Sequence, residues 1–532
     1  MKKHVTGFLR GKHFSNIFFL FTLLSLLGGF AISNLPVFIG AVRNASFEDT
    51  DCFNKIESQY KENIAGRNQL IDLYGGMLNL LQKDMVGNFE FIKDDKGIIQ
   101  SVYQMTMSDD FADDVIALSQ KLAQKNIPFV YMIEPDRAIG NPLIEQFTKR
   151  QSLHSDIRNT FEAAGIDVLD LSVAMQSGQS TSAKEDFFFR TDVHLSTAAE
   201  FWMSTLLAEH LKDEYGILFS QMEQIYDMGN YTMQYFDFLG NNARSAGRWF
   251  TGVDQFEKYI PDFQTDLTMT DFSGVQTRKG DFQSVYMNSV ENAADIDLYT
   301  YWIVDYGQWP SPYYEYRNNL NPDAPRILML IDSIFLRGTG FLTLGSSQVT
   351  VVDIRYSEGF PYVEYALDKN QYDAVVLCGS TLIGSPFITD IVLPELPQEP
   401  AQTANDWIGI NGLWIDLYNG NLVDGTEEVL KISHDYIQTE LVGWAADFRT
   451  LKPLSALYLQ VGEHTIPCTY GIERFGLDEV YGTSDLTKVG FTVSFPTAYL
   501  HGGEIGEIYF IQVSSDGTYM YEPVPIQFEL DG

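Results

Sequence analysis

The chain predicts a mixed α/β protein: a parallel sheet with flanking helices, followed by a β-sandwich and preceded by one transmembrane helix. Three observations lead there. Between about residues 90 and 390, amphipathic segments alternate with short, wholly apolar runs, the pattern of helices packed on a buried parallel sheet. Beyond about Gly420 the apolar positions fall on alternate residues, as in strands with one buried face. Near the start, Ile17 to about Ile39 lacks any charged residue. At about 1.5 Å per residue, such a run spans a hydrocarbon core of about 30 Å.

Taken in order, Lys2, Lys3, Arg10 and Lys12 precede the apolar run. Positive charge on that flank predicts a cytoplasmic N-terminus and an exported remainder, so residues 1–43 are read as a signal anchor at the cell membrane. The run is longer than a cleavable signal needs and lacks an A-x-A site. An α/β domain is expected over 44–400. It begins with helical "YKENIAGRNQLIDLYGGMLNLLQ" and a short strand, then "SDDFADDVIALSQKLAQKN", a helix with Ser108 as its cap. "IPFVYMIEP" reads as a buried strand closed by Pro135, and Glu134 and Asp136 beside it read as solvated surface, with orientation of a substrate as the alternative. "HSDIRNTFEAAGIDVLDLS" gives a helix stopped by Gly165 and a strand from Ile166 to Leu171. In "STAAEFWMSTLLAEHLKDEYG", Thr197 and Glu200 have capping-box spacing. Residues 220–320 form a long insertion with little periodicity, expected to be binding loops or a lid. The sheet resumes at "RILMLIDSIFLRGTGFL", then "QVTVVDIRY" and "YDAVVLCGS". A Pro-rich stretch from Pro386 marks a boundary. Residues 420–532 read as the β-sandwich, a candidate carbohydrate-binding module, with a hairpin at Asp516-Gly517 and Trp444 in its core.

Lys and Arg number 35 against 71 Asp and Glu, a net charge of −36. Such a field repels nucleic acid, whose binding depends on basic side chains releasing counterions. Cys52, Cys378 and Cys468 are far apart and offer neither a disulfide framework nor zinc spacing. No metal or cofactor is expected.

Chemistry concentrates at two loops. "FFFRTDVHLSTAAEFW" sets Asp192 two residues before His194, and Ser333 follows the apolar strand Ile327–Ile331. In parallel sheets ligands bind at the carboxyl edge, where loops diverge and helix N-termini offer free N–H groups. A serine hydroxyl there becomes a nucleophile only if a histidine takes its proton, and the histidine needs an acid to hold its tautomer. Ser333, His194 and Asp192 supply the three roles.

"RTDVHLS" and "LMLIDSIF" resemble the Asp-x-His-Trp and Gly-Asp-Ser-Phe blocks of the permuted SGNH-hydrolase-like proteins, the alginate O-acetyltransferase relatives and DHHW-motif proteins. "GNNARSAGRWF", before a "DQFEKYIPDFQT" segment, and "VVDIRY" are similar too, and acid and base precede the serine as in that family. The resemblance implies a flavodoxin-like SGNH fold that transfers acetyl groups to, or removes them from, a cell-surface polysaccharide. Ser333 would be nucleophile, His194 general base and Asp192 its orienter. Arg355 and Tyr356 would lie near the acyl or sugar group, with Asn241, Asn242 and Gly379 as oxyanion or substrate candidates. A transferase outside the cell implies an acetyl donor and a multi-pass membrane acyltransferase as partner. Ile331 stands where the family has glycine and Leu195 where it has an aromatic residue. Those departures keep open a catalytically degenerate glycan-binding or envelope scaffold on the same fold.

Overall fold

A computed structural model of the chain describes residues 29, 33–43, 59–60 and 63–531, apart from 87–90, 95, 103–106, 140, 177–186, 273–276, 288–297, 299–311, 357–359, 380–392, 401–411, 424–428, 434–435, 475 and 501–505. Most of the expected transmembrane span and of the Pro-rich boundary, together with Cys52, lies outside the described residues. Among those described, no helix is long and apolar enough to cross a membrane.

The apolar runs become strands. In chain order, β1 (Phe129–Ile133), β2 (Asp167–Asp170), β3 (Leu267–Asp271), β4 (Thr277–Gly280), β5 (Tyr313–Asn318), β6 (Arg326–Ile331), β7 (Gln348–Asp353) and β8 (Ala374–Cys378) form one eight-stranded sheet, ordered β2-β1-β8-β6-β7-β5-β3-β4. The first five in that order pair in parallel. The last three are antiparallel. Alternate residues of β6 serve the two faces. Ile327, Met329 and Ile331 join one core with Phe201, Leu207 and Phe341. Leu328 and Leu330 join another with Val115, Leu118, Ile157 and Phe161. Burial on both faces explains why β1, β6 and β8 read as continuous apolar stretches.

Helices α1 (Asp109–Gln124), α2 (Arg150–Ala163), α3 (Thr197–Tyr215), α4 (Leu336–Gly345) and α5 (Tyr362–Lys369) supply the covering layers. Ser108 Oγ accepts the Phe111 N–H at 3.2 Å, capping α1 as expected. Gly165, at φ 78°, ends α2 in the left-handed conformation that glycine adopts without strain. The capping box on α3 is corrected: Ser196 is the cap, accepting from Ala199 N–H at 3.2 Å, while Thr197 Oγ1 donates to the Glu257 carbonyl and Glu200 is engaged elsewhere. The reading of 220–320 as irregular loops is also corrected for its described residues. Tyr231–Phe238 and Asp254–Pro261 form a two-stranded antiparallel ribbon, and β3, β4 and β5 extend the main sheet.

In the C-terminal part, the strands form a five-stranded and a seven-stranded sheet. Leu441, Phe491 and Val493 of the first share one core with Leu459, Ile508 and Phe510 of the second. The first strand of this region longer than two residues, Leu413–Tyr418, starts ahead of the expected boundary. Trp444 is 5% exposed and packs on Leu486 and Val489.

Candidate active site

Ser333 sits just past the carboxyl end of β6, in the turn that leads into α4. Asp332 Oδ1 holds this turn by accepting the Ile334 N–H at 2.7 Å. His194 sits just ahead of α3, on a turn closed by a bridge between Phe188 and Leu195 and by Ser196 N–H donating to the Phe187 carbonyl at 2.9 Å. His194 Nε2 lies 3.0 Å from Ser333 Oγ, and His194 Nδ1 lies 2.6 Å from Asp192 Oδ1. A carboxylate against Nδ1 keeps the proton there and leaves Nε2 to accept from the hydroxyl. Asp192 is fully buried. Burial alone would raise its pKa, but His194 and the backbone N–H groups of His194 and Asn241, at 3.0 and 2.6 Å, hold it well below the usual carboxylate range.

Arg355, in the helical turn after β7, brings a cation to the same hydroxyl. Its Nη1 is 3.2 Å from Ser333 Oγ. Asp353 fixes the guanidinium with Nε–Oδ1 at 2.9 Å and Nη2–Oδ2 at 2.6 Å, a two-pronged grip that leaves Nη1 directed at the serine.

Two loops separated by 139 positions meet because the helices behind them are locked together. Arg337, in the first turn of α4, donates to Glu200 of α3 through Nε at 2.7 Å and through Nη2. Arg337 Nη2 also donates to the Leu195 carbonyl beside the histidine. Glu200 Oε2 accepts the Gly338 N–H at 2.8 Å, and Ser204 Oγ donates to the Gly338 carbonyl at 2.9 Å. Both charged side chains are buried, so their attraction acts with little solvent screening.

The acid is clamped from the insertion. Gly240 N–H donates to Thr191 Oγ1 at 3.0 Å, and Asp254 Oδ2 accepts from both the N–H and the hydroxyl of Thr191 at 2.6 Å. A Cβ on Gly240 would stand 2.4 Å from the Thr191 carbonyl oxygen and 2.5 Å from Asp192 Cβ, so glycine permits this approach. From the other side Arg137 donates to the Asp192 and Phe189 carbonyls.

Of the residues expected at the site, Ser333, His194, Asp192 and Arg355 are brought together. Asn241 contributes its backbone N–H, while its side-chain oxygen accepts from Arg244. Asn242 instead donates to the Ile99 carbonyl at 3.2 Å and lines a neighbouring cavity with Gly379. The side chain of Tyr356 lies outside the described residues. Ile331 is sealed in the sheet, and Leu195 packs into the core at the position where the family has an aromatic. The Ile334 N–H is occupied by Asp332, which leaves Arg355 as the polar donor seen at Ser333 Oγ. Sequence reasoning missed Arg137, Glu200, Arg337, Gly240 and Asp254. Each acts on a partner more than 45 positions away; Gly240 and Asp254 begin the "GNNARSAGRWF" and "DQFEKYIPDFQT" blocks of the resemblance, which gave neither a role. No cluster of metal-ligating side chains occurs among the described residues.

This arrangement sets a serine hydroxyl, an imidazole and a carboxylate in line at the edge of an α/β sheet. Residues 104–228 match the family model described as the SGNH hydrolase-like domain of the acetyltransferase AlgX. The SGNH-like resemblance read from the sequence therefore holds over that segment, which contains Asp192 and His194 and ends before Ser333. Among solved structures the chain is similar to Bacillus cereus PatB1, with 20% identity and a TM-score of 0.44 over 56% of this chain and 98% of that one. It is also similar to a DHHW family protein from Eubacterium siraeum, at 14% identity and TM-score 0.40 over 55% of this chain and 90% of that one. Pseudomonas aeruginosa AlgX aligns at 12% identity and TM-score 0.35 over 82% of this chain and 90% of that one. No curated protein matches the chain.

Proposed function

We propose that the chain is an extracytoplasmic O-acetyltransferase or acetylesterase acting on a cell-surface polysaccharide through Ser333, His194 and Asp192. The observation that carries this reading is the continuous line of contacts from Ser333 Oγ to His194 Nε2, at 3.0 Å, and from His194 Nδ1 to Asp192, at 2.6 Å. The first distance falls within the reach of about 2.6–3.2 Å that a general base needs. The match of residues 104–228 to an acetyltransferase domain supports the acetyl group as the one transferred.

Ser333 Oγ attacks the acetyl carbonyl of the donor as His194 Nε2 takes its proton. Arg355 Nη1, adjacent to the reacting oxygen, offers positive charge to the developing oxyanion, and the N-terminus of α4 adds its dipole. His194 returns the proton to the leaving group, and the acetyl remains on Ser333. A sugar hydroxyl, deprotonated by His194, then attacks the acetyl-serine and regenerates the hydroxyl. Water in place of the sugar gives hydrolysis through the same intermediate. The apolar, positively flanked N-terminus favours membrane attachment with the active site outside, and a membrane acyltransferase is the partner that would deliver acetyl groups.

The test is turnover of a chromogenic acetyl ester by the full chain and its Ser333→Ala variant. Loss of several orders of magnitude supports the serine route. Equal turnover rejects it, and turnover by both proteins at only the uncatalysed rate favours the glycan-binding scaffold on the same fold.

A further inference from the structure

Beside the serine, at the carboxyl ends of β1 and β8, lies a cavity of about 110 Å³. Ile334 and Leu195, the residues that follow Ser333 and His194, form part of its wall, so it opens from the same sheet edge as the reacting hydroxyl. Its polar groups are unusual. Glu134, expected from sequence to be solvated surface, is 8% exposed, and its Oε2 has no hydrogen-bond partner among the described residues. His154 of α2 is 5% exposed and its Nδ1 is likewise unpartnered among them. Leaving such groups buried and unmatched is costly, so a ligand that pairs with both recovers that cost.

The two orphans are complementary. Burial, reinforced by Asp332 and Asp136 and opposed by Arg150, pushes the Glu134 carboxyl well above the ordinary glutamate range, which favours its protonated, donating form. Burial lowers the His154 pKa and keeps the ring neutral. Its Nε2 faces Asp136 Oδ2 at 3.7 Å, which leaves Nδ1 to accept. The cationic groups on the wall already have anionic or carbonyl neighbours: Arg137 is committed to the Phe189 and Asp192 carbonyls, and Arg150 Nε is 3.7 Å from Asp136. One donor beside one acceptor, with Ile133, Ile157 and Phe188 as apolar wall, matches hydroxyls on a ring with an apolar face. Asp136 and Asp332, which add to the effect of burial on Glu134, disfavour an anionic ligand, and Arg137 and Arg150 are already engaged by backbone carbonyls and Asp136.

We propose that this cavity is part of the acceptor subsite and receives the hydroxyl-bearing edge of one neutral sugar residue, with Glu134 donating to, and His154 accepting from, hydroxyls of its ring. This rests on the acetyl-transfer reading of Ser333 and extends it: the acceptor is selected for neutrality, and a uronate is excluded.

The test is saturation-transfer NMR on the full chain in detergent micelles, with methyl gluco-, galacto- and mannopyranosides as neutral probes and methyl glucuronide as the anionic one. At least one neutral glycoside should bind, and the glucuronide should not. Glu134→Leu should weaken binding about tenfold, the loss of one hydrogen bond to a buried group, whereas Glu134→Gln, which keeps a donor, should bind within a few-fold of wild type. Should Glu134→Leu fail to fold, His154→Phe carries the same expectation. Absence of neutral-glycoside binding, equal binding of the glucuronide, or undiminished binding in the folded Leu or Phe variant overturns the proposal. The same titration on Ser333→Ala separates the two readings. Glycoside binding retained there reports the cavity alone, whatever the outcome for the serine chemistry.

Discussion

Asp192 illustrates how a single side chain is tuned by what surrounds it. With the carboxyl held low by His194 and two backbone N–H groups, it stays ionised and fixes the imidazole tautomer, and in the proposed reaction it would stabilise the imidazolium formed during attack. Asp192→Asn keeps the shape but favours the wrong tautomer, so ester turnover should fall about 10³- to 10⁴-fold, read by steady-state kinetics. The same low pKa has a stability consequence. A folded-state carboxyl below its unfolded value of about 3.9 contributes stability that is complete above that value and lost as pH falls toward the folded value. The stability difference between wild type and Asp192→Asn, from denaturant melts, should therefore be constant at neutral pH and shrink below about pH 4. If Arg355 donates to the oxyanion as proposed, Arg355→Ala should lower kcat about 10²-fold with a smaller change in KM. Ser333, His194, Asp192 and Arg355 were legible in the sequence because each belongs to a short block, "RTDVHLS", "LMLIDSIF" or "VVDIRY". Asn241 was legible only as a position. Its contribution is a backbone N–H, which no side-chain pattern announces.

At the scale of elements, the Arg337–Glu200 pair converts two separate βα units into one site. Removing one partner strands the other charge in the core, so Arg337→Met should cost about 3–5 kcal/mol, seen as a lowered Tm. It should also slow ester turnover, because the same guanidinium holds the Leu195 carbonyl beside His194. This lock explains the misread start of α3. Ser196 and Thr197 are both good caps, and Glu200 stands at capping-box spacing from Thr197, but Arg337 claims Glu200 from 137 positions away. The parallel strands were legible because burial on both faces leaves uninterrupted apolar runs. β3 and β4 were not: they are short, mix polar with apolar residues, and acquire strand character from pairing, β3 with β5 some 45 residues downstream and β4 with β3. Gly240 was quoted within a motif, yet its purpose, the close approach to Thr191 and Asp192, exists only in three dimensions.

Across the whole molecule, a strongly acidic chain combines an eight-stranded sheet bearing the site with two further sheets built around a separate core. The alternating pattern that predicted the latter persists because each strand buries one face. A net charge of −36 suits contact with neutral glycans rather than polyanions and agrees with the neutral acceptor inferred for the cavity. If the uncharged N-terminal run anchors the chain, the protein should stay in the membrane pellet after alkaline carbonate extraction, and protease added outside intact cells should remove the site-bearing region. Release into the carbonate supernatant would overturn the anchor while leaving the chemistry untouched. The most direct measurement is of the covalent intermediate: rapid quenching of the full chain with an activated acetyl ester, followed by peptide mass spectrometry. Acetyl on the peptide containing Ser333, formed far more slowly in His194→Ala and absent in Ser333→Ala, is the predicted result. An unmodified Ser333 during active turnover, or equal acetylation without His194, would contradict it.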